Sequence, residues 1–340
     1  DHGARGLGGA AAAAGGVAGG AGAATRLRRM NEEAEIILVE RGEHISYANC
    51  GLPYYLGGVI KERSKLIVTA PELLRDRFKV DVRTRCEAIS FDSKKNEIVL
   101  KDLSCGKEYV EKYDKLILSP GAAPLRPKIF DKKRVFCLRN VNDVYAIDDF
   151  IVQTRARRVA VIGAGFIGAE IAENMVHRGL SVTLIEAAEH ILPPFDREMV
   201  ERLHVTAIEQ GIELKLGLRV EDCVEKGAVL ELKCADGSII EVDFVLLSVG
   251  VAPDTAFAKN PGLALNPKGA IIVDDNFLTS APNVYAVGDA IEHRSLVDND
   301  KAYIPLAGPA NKQGRRVADV VAGFQRDIAP MRVQGSSIVK

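Results

Sequence analysis

The hexapeptide Gly163-Ala164-Gly165-Phe166-Ile167-Gly168 sets three glycines at the G-x-G-x-x-G spacing, which permits a tight turn, close approach of a pyrophosphate and packing of a helix on a strand. The helix N-terminus that follows such a turn stabilises phosphate charge. Glu186, 23 positions after Gly163, stands where a carboxylate can bond a ribose 2′-hydroxyl, and Ala187 and Ala188 after it offer no guanidinium to a 2′-phosphate. NADH is favoured over NADPH on that ground. Gly15-Gly16-Val17-Ala18-Gly19-Gly20 repeats the pattern less completely, because Val17 takes the middle glycine position; Glu40, 25 residues after Gly15, supplies the matching carboxylate. A third segment, Thr279 to Asp289, reads as a short buried strand ending in Gly288-Asp289, able to present a carboxylate and a backbone amide to a polar ligand.

These motifs need strands and helices behind them. Arg158 to Ile162 is an apolar strand running into the second glycine turn, followed by a helical pattern to His177 and a strand from Ser181 to Glu186, a complete βαβ unit. The first turn is followed by a helical stretch from Gly20 to Met30 and a strand from Glu35 to Glu40. Ahead of it the signals disagree: 19 of the first 24 residues are Gly or Ala, including Ala10 to Ala14 where the motif requires a strand that alanine disfavours. Two modules about 150 residues apart imply an internal duplication and two bound nucleotides. Antiparallel strands are expected around Asp81 to Phe91, Asn96 to Lys101 and Glu108 to Leu118, and again at Leu230 to Cys234 and Ile239 to Val249 around the turn Ala235-Asp236-Gly237-Ser238. Gly121 to Pro124 and Gly250 to Pro253 punctuate the chain as boundaries.

The chain has 340 residues, enough for two cores, with 47% hydrophobic and 27% charged residues and a mean hydropathy of +0.03. Lys and Arg total 45 against 46 Asp and Glu, a net charge of -1, which disfavours a nucleic-acid partner. No long apolar run marks a membrane span or a secretory leader, so a soluble cytoplasmic protein is expected. Six scattered cysteines, without C-x-x-C or metal-ligand spacing, argue against a disulfide framework and against a metal site.

Taken together, the motifs resemble the pyridine nucleotide-disulfide oxidoreductases, in their order along residues 15 to 340. The resemblance implies an α/β fold of two Rossmann-like domains of the glutathione reductase type, each with a three-layer ββα architecture, and a C-terminal dimerisation domain missing from the chain. It divides the chain into an FAD domain at 1–120, resumed at 251–325, an inserted NAD domain at 121–250, and a dimerisation segment beginning at 326–340. FAD is expected on Gly15, Val17, Ala18, Gly19, Glu40, Arg41, Ser119, Pro120, Gly121, Gly288, Asp289, Pro305, Leu306 and Ala307, with Asp289 holding the ribityl chain. NADH, with NADPH possible, is expected on Gly163, Gly165, Phe166, Ile167, Gly168, Glu170, Glu186 and Gly250.

The segment Ser46-Tyr47-Ala48-Asn49-Cys50-Gly51-Leu52-Pro53-Tyr54-Tyr55 places the chain in the single-cysteine branch, because Tyr55 occupies the second position of the family's C-x-x-x-x-C. It is most similar to coenzyme A disulfide reductases and NADH-dependent persulfide or polysulfide reductases, and the run Ile304 to Arg315 supports the same subgroup. By that likeness Cys50, above a helix starting between Gly51 and Leu56, is the redox-active thiolate that forms a mixed disulfide with substrate. Coenzyme A contacts carry over to Gly22, which has no side chain to offer, Arg26, Arg29, Ser46, Asn49 and Asn311. A homodimer is expected, the partner's C-terminal domain completing the site. The competing readings are an NADH oxidase or peroxidase cycling Cys50 through a sulfenic acid, and a flavin-bound redox sensor.

Overall fold

A computed structural model describes residues 10–259, 262–324 and 331–335. The chain divides into two compact units, whose described residues fall in 10–47, 67–123 and 252–335 for the first and in 48–66 and 124–251 for the second. Residues 48–66, expected within the first FAD segment, therefore cluster with the second unit.

In the first unit a five-stranded parallel sheet runs in the order Val284–Ala286, Lys115–Leu118, Ala10–Ala14, Glu35–Val39, Asp81–Arg83. Its central strand is the alanine run, in register with Ile37 on one side and Leu116 on the other through Ala12. Strand propensities span only about 1 kcal/mol and depend on neighbours. Ladders on both edges and burial of Ala11 to Ala14 at 3 to 6% exposure override alanine's weak preference. The disagreement over Ala10 to Ala14 is thus settled in favour of a strand.

The helices Ala18–Met30 and Ala307–Val321 lie against each other so closely that a Cβ on Gly314 would fall 2.3 Å from the Gly19 carbonyl oxygen. An antiparallel sheet, Cys86–Asp92, Glu97–Asp102 and Glu108–Lys112, shares the core with this helix pair and the parallel sheet. The expected strand from Glu108 to Leu118 is two strands, the second of which, Lys115–Leu118, joins the parallel sheet. Between them Asp114 accepts a 2.7 Å bond from the Ala10 amide.

The second unit repeats the plan. Its parallel sheet runs Val135–Cys137, Phe244–Leu247, Arg158–Ile162, Ser181–Ile185, Ile212–Lys215, with the helix Phe166–His177 following the central strand. Its antiparallel sheet is Val220–Lys226, Val229–Cys234 and Ile239–Val242. The expected strand from Ile239 to Val249 is again divided, here at Asp243, whose carboxylate accepts bonds from the Arg157 amide at 2.8 Å and the Arg158 amide at 2.9 Å.

In both units the same kind of aspartate holds the start of the central strand, which is the structural signature of duplication. Of the segment 326–340, only 331–335 lies within the described residues; there Val333 bridges to Ser295. No helix among the described residues is long and apolar enough to cross a membrane.

Candidate functional site

Within the first unit, Gly15 and Ser119 follow directly on two adjacent parallel strands and Gly288 follows a third after one intervening residue, at the carboxyl ends where open α/β sheets bind ligands. Gly15 has φ +105° and a Cβ on it would sit 1.8 Å from the Ser119 carbonyl oxygen, so only glycine fits. A Cβ on Gly19 would lie 2.4 Å from Ser119 Oγ. Val17 precedes the helix without a side-chain cap, and the first-turn amides have no intrahelical acceptor. Glu40 closes the cradle, its Oε2 accepting from the Gly16 amide and its Oε1 from the Gly42 amide, both at 2.7 Å.

Gly288, at φ +82°, begins the turn that carries Asp289, and its would-be Cβ lies 3.6 Å from both Ser119 Oγ and Ala310 Cβ. Pro305, Leu306 and Ala307 lead into the helix that contains Ala310. Gly121, at φ +77°, accepts a bond from the Asp254 amide at 3.0 Å. The Arg41 guanidinium pairs with Asp254 at 3.1 Å and Glu87 at 3.5 Å. A cradle of orphan amides, a carboxylate and a Gly-Asp turn suits a flavin dinucleotide in the donor set it offers.

The second unit repeats the turn. Gly163, at φ +95°, would place a Cβ 2.5 Å from the Ser248 carbonyl oxygen, and Gly168 would place one 1.9 Å from the Gly163 carbonyl oxygen. Gly165 differs: nothing lies within 4 Å of its would-be Cβ, which leaves space before the helix Phe166–His177 for a pyrophosphate. Glu186 accepts from the Ala164 amide at 2.6 Å and the Ala188 amide at 2.9 Å. Phe166 meets Phe195 edge to face at 5.8 Å beside the exposed Ile167. Gly250, at φ +114°, accepts from the Leu125 amide at 2.9 Å. Burial, with a smaller contribution from Glu173, pushes the Glu170 carboxyl above its usual range.

Cys50 belongs to this unit and is exposed, in the short turn Asn49–Gly51 before the helix Leu52–Leu56. The buried Leu52, Pro53 and Leu56 seat that helix. The Asn49 amide donates to the Arg139 carbonyl oxygen at 3.1 Å and accepts from its guanidinium at 2.8 Å. Tyr55 accepts from Arg63 at 3.2 Å and donates to Asp148 at 3.4 Å, while Asp148 also pairs with Arg178 at 2.7 Å. Burial raises the Tyr54 hydroxyl first, then the charges of Glu170, Glu173 and Cys50, which places Tyr54 within electrostatic reach of the thiol. Cys86, Cys137, Cys223 and Cys234 have thiols pushed up by burial; Cys50 and Cys105 are the two exposed ones.

The carried-over substrate positions are divided between the two units. Gly22 lies against Asn311, its would-be Cβ 3.6 Å from the Asn311 carbonyl oxygen, and Arg26 on the same helix pairs with Asp319 at 2.7 Å. Arg29 lies over the Phe78 ring at 5.6 Å. Ser46 belongs to the first unit, in the strand Ser46–Tyr47 paired with Ile67–Thr69, whereas Asn49 belongs to the second. Sequence reasoning missed Arg139, Ser248 and His293, which stand outside the motifs, and gave Gln313 no role although it lies within the run Ile304 to Arg315.

A family profile described as "Pyridine nucleotide-disulphide oxidoreductase" matches residues 14–314, and the chain belongs to that family. The family's cofactors are FAD and a nicotinamide dinucleotide. The chain is 35% identical over 300 residues to a coenzyme A disulfide reductase of Staphylococcus epidermidis, covering 88% of this chain and 67% of the relative. It is 34% identical over 311 residues to an NADH oxidase of Methanocaldococcus jannaschii, covering 91% and 69%. Among solved structures, reduced CoADR-RHD of Bacillus anthracis superposes with a TM-score of 0.92 at 45% identity, covering 95% of this chain and 58% of that one. The chain therefore spans little more than half the length of that protein.

Proposed function

We propose that the chain is the dinucleotide-binding part of an NADH-dependent flavoprotein that reduces coenzyme A disulfide, coenzyme A persulfide or polysulfide through Cys50. The observation that carries this reading is the exposed Cys50 ahead of a seated helix, with Tyr55 rather than a second thiol five residues on. When bound, FAD supplies two-electron chemistry between the nicotinamide and sulfur.

The chain's own residues do the rest. The turn at Gly163, Gly165 and Gly168 takes the NADH pyrophosphate, and Glu186 the ribose. Gly15, Gly19, Glu40, Ser119, Gly288 and Asp289 hold the flavin dinucleotide. The Cys50 thiolate attacks one sulfur of a coenzyme A disulfide, forms the mixed disulfide and releases one coenzyme A thiolate. Two electrons originating in NADH then cleave the mixed disulfide, returning Cys50 to thiolate and releasing the second coenzyme A. No resolving cysteine takes part. Arg26 binds a substrate phosphate only with the donors that Asp319 leaves over, and Asn49 exchanges an Arg139 bond for one to substrate. The reading extends to a cytoplasmic homodimer.

The likeness to an NADH oxidase favours a second reading, in which Cys50 cycles through a sulfenic acid. Anaerobic NADH oxidation with coenzyme A disulfide as acceptor, beside Cys50→Ser, separates the two. Turnover that the variant loses supports the sulfur reductase. Turnover that requires oxygen or peroxide supports the oxidase or peroxidase.

A further inference from the structure

Deep in the first unit, two side chains beyond the Gly288-Asp289 motif form a chain of hydrogen bonds that ends on its glycine. The Gly288 amide donates to Gln313 Oε1 at 2.7 Å, and Gln313 Nε2 lies 2.9 Å from His293 Nδ1. Gln313 and His293 are 1% and 4% exposed, and Gly288 is buried. A backbone amide can only donate, so the carboxamide oxygen must be the end that faces Gly288. The NH2 end therefore faces His293, whose Nδ1 must accept. The imidazole proton then sits on Nε2, which has no hydrogen-bond partner among the described residues. One buried amide orientation and one histidine tautomer are fixed by a single glycine turn.

We propose that Gln313, oriented by His293, is a positioning residue for the flavin dinucleotide: it pins the Gly288 amide and so fixes the turn that delivers Asp289 to the cofactor. The inference rests on flavin binding by this unit and goes beyond it in assigning residues outside the cofactor cradle. The connection has a physical reason. Gly288 holds φ +82°, which glycine adopts about as readily as a negative φ, so its own preference does not fix the turn and an anchor from elsewhere in the chain does. Gln313 supplies it from the helix Ala307–Val321, and His293 keeps the carboxamide from rotating end for end. Burial holds the His293 pKa down to about 4, which keeps Nδ1 an acceptor across the neutral range.

The test uses purified holoprotein. Flavin bound per chain and the rate of FAD release on dilution, read from free-flavin fluorescence, are compared for wild type, Gln313→Leu, Gln313→Glu and His293→Phe. Leucine leaves the Gly288 amide without an acceptor, and FAD affinity falls about tenfold or more, equivalent to about 1.4 kcal/mol. Glutamate keeps that acceptor and holds FAD within about threefold of wild type. It also turns a second oxygen toward Nδ1, which as an ionised carboxylate can only accept, so the ring takes a proton there. Nitrogen-15 NMR of labelled histidine then reports protonation at Nε2 alone in wild type and at Nδ1 in Gln313→Glu. A merely structural glutamine lowers melting temperature in both Gln313 variants alike and leaves the rate of FAD release unchanged. FAD retention in Gln313→Leu within twofold of wild type, or a wild-type ring protonated at Nδ1, overturns the proposal. Wild-type protein that takes up no FAD overturns the cofactor assignment as well, and so is distinguishable from failure of the positioning role alone.

Discussion

Glu40 and Glu186 make the same pair of contacts in the two units. Each carboxylate stands just past the second strand of its βαβ unit, with one oxygen accepting from an amide of the glycine turn and the other from an amide two residues further on. The pairing sets the position of each carboxylate by backbone and leaves each oxygen a lone pair free to accept from a ligand hydroxyl.

Replacing Glu186 with alanine removes the ribose acceptor and frees two amides. Hydrogen bonds to charged groups are worth about 1.5–3 kcal/mol, so the KM for NADH is expected to rise at least tenfold with a smaller change in kcat. On the proposed reading, in which NADH is the donor, discrimination against NADPH narrows, since the carboxylate that would repel a 2′-phosphate is gone. Steady-state kinetics with both nucleotides measures this.

Two glycines of one motif behave oppositely. Gly168→Ala forces a methyl to 1.9 Å from the Gly163 carbonyl oxygen, so melting temperature falls by several degrees. Gly165 has φ -70° and open space, so Gly165→Ala keeps the wild-type melting temperature while NADH affinity drops at least severalfold. Calorimetry and nucleotide titration on the two variants check the contrast.

Asp243 gives a pH-dependent prediction. Burial alone raises its pKa, but the bonds from the Arg157 and Arg158 amides and the Arg158 guanidinium outweigh that and hold it below the usual value. A depressed folded-state pKa adds stability above the unfolded value, and that stability is lost as pH falls through the folded one. Asp243→Ala is therefore less stable than wild type at pH 7 by about 1 kcal/mol, after discounting for solvent exposure, and the gap shrinks below about pH 4. Melting curves from pH 3 to 7 for both proteins provide the check.

Thiol reactivity separates the cysteines. Iodoacetamide under native conditions labels Cys50 and Cys105 fast, and Cys86, Cys223 and Cys234, buried with raised thiol pKa values, slowly. Cys105→Ser keeps turnover unchanged, whereas Cys50→Ser lowers it at least a hundredfold. Peptide mapping and NADH kinetics read the two halves.

The glycine turns and their carboxylates were legible because their constraint is local: a Cβ on Gly15 or Gly163 collides with a carbonyl whatever the rest of the chain does. The alanine strand was not, since Ala10 to Ala14 become a strand through Ile36 to Val39 and Lys115 to Leu118 on either side, not through their own preference. Two apolar runs were read as single strands because the split at Asp114 and at Asp243 depends on which sheet each half joins. The link between Gln313 and His293 carried no signal, although Gln313 stands within the run Ile304 to Arg315, as the bonds reach 25 and 20 residues along the chain between positions in separate elements. The Arg139 bonds to Asn49 were hidden for the same reason, the two residues lying far apart in sequence.

The central claim is that Cys50 itself becomes covalently joined to the substrate's thiol. Intact-mass spectrometry after mixing NADH-reduced, anaerobic protein with coenzyme A disulfide, quenched in acid and mapped by peptide digestion without reductant, tests it most directly. One coenzyme A per chain, on Cys50 alone and removed by further NADH, is expected. A protein that consumes NADH with no adduct at Cys50, or with the adduct on Cys105, contradicts it.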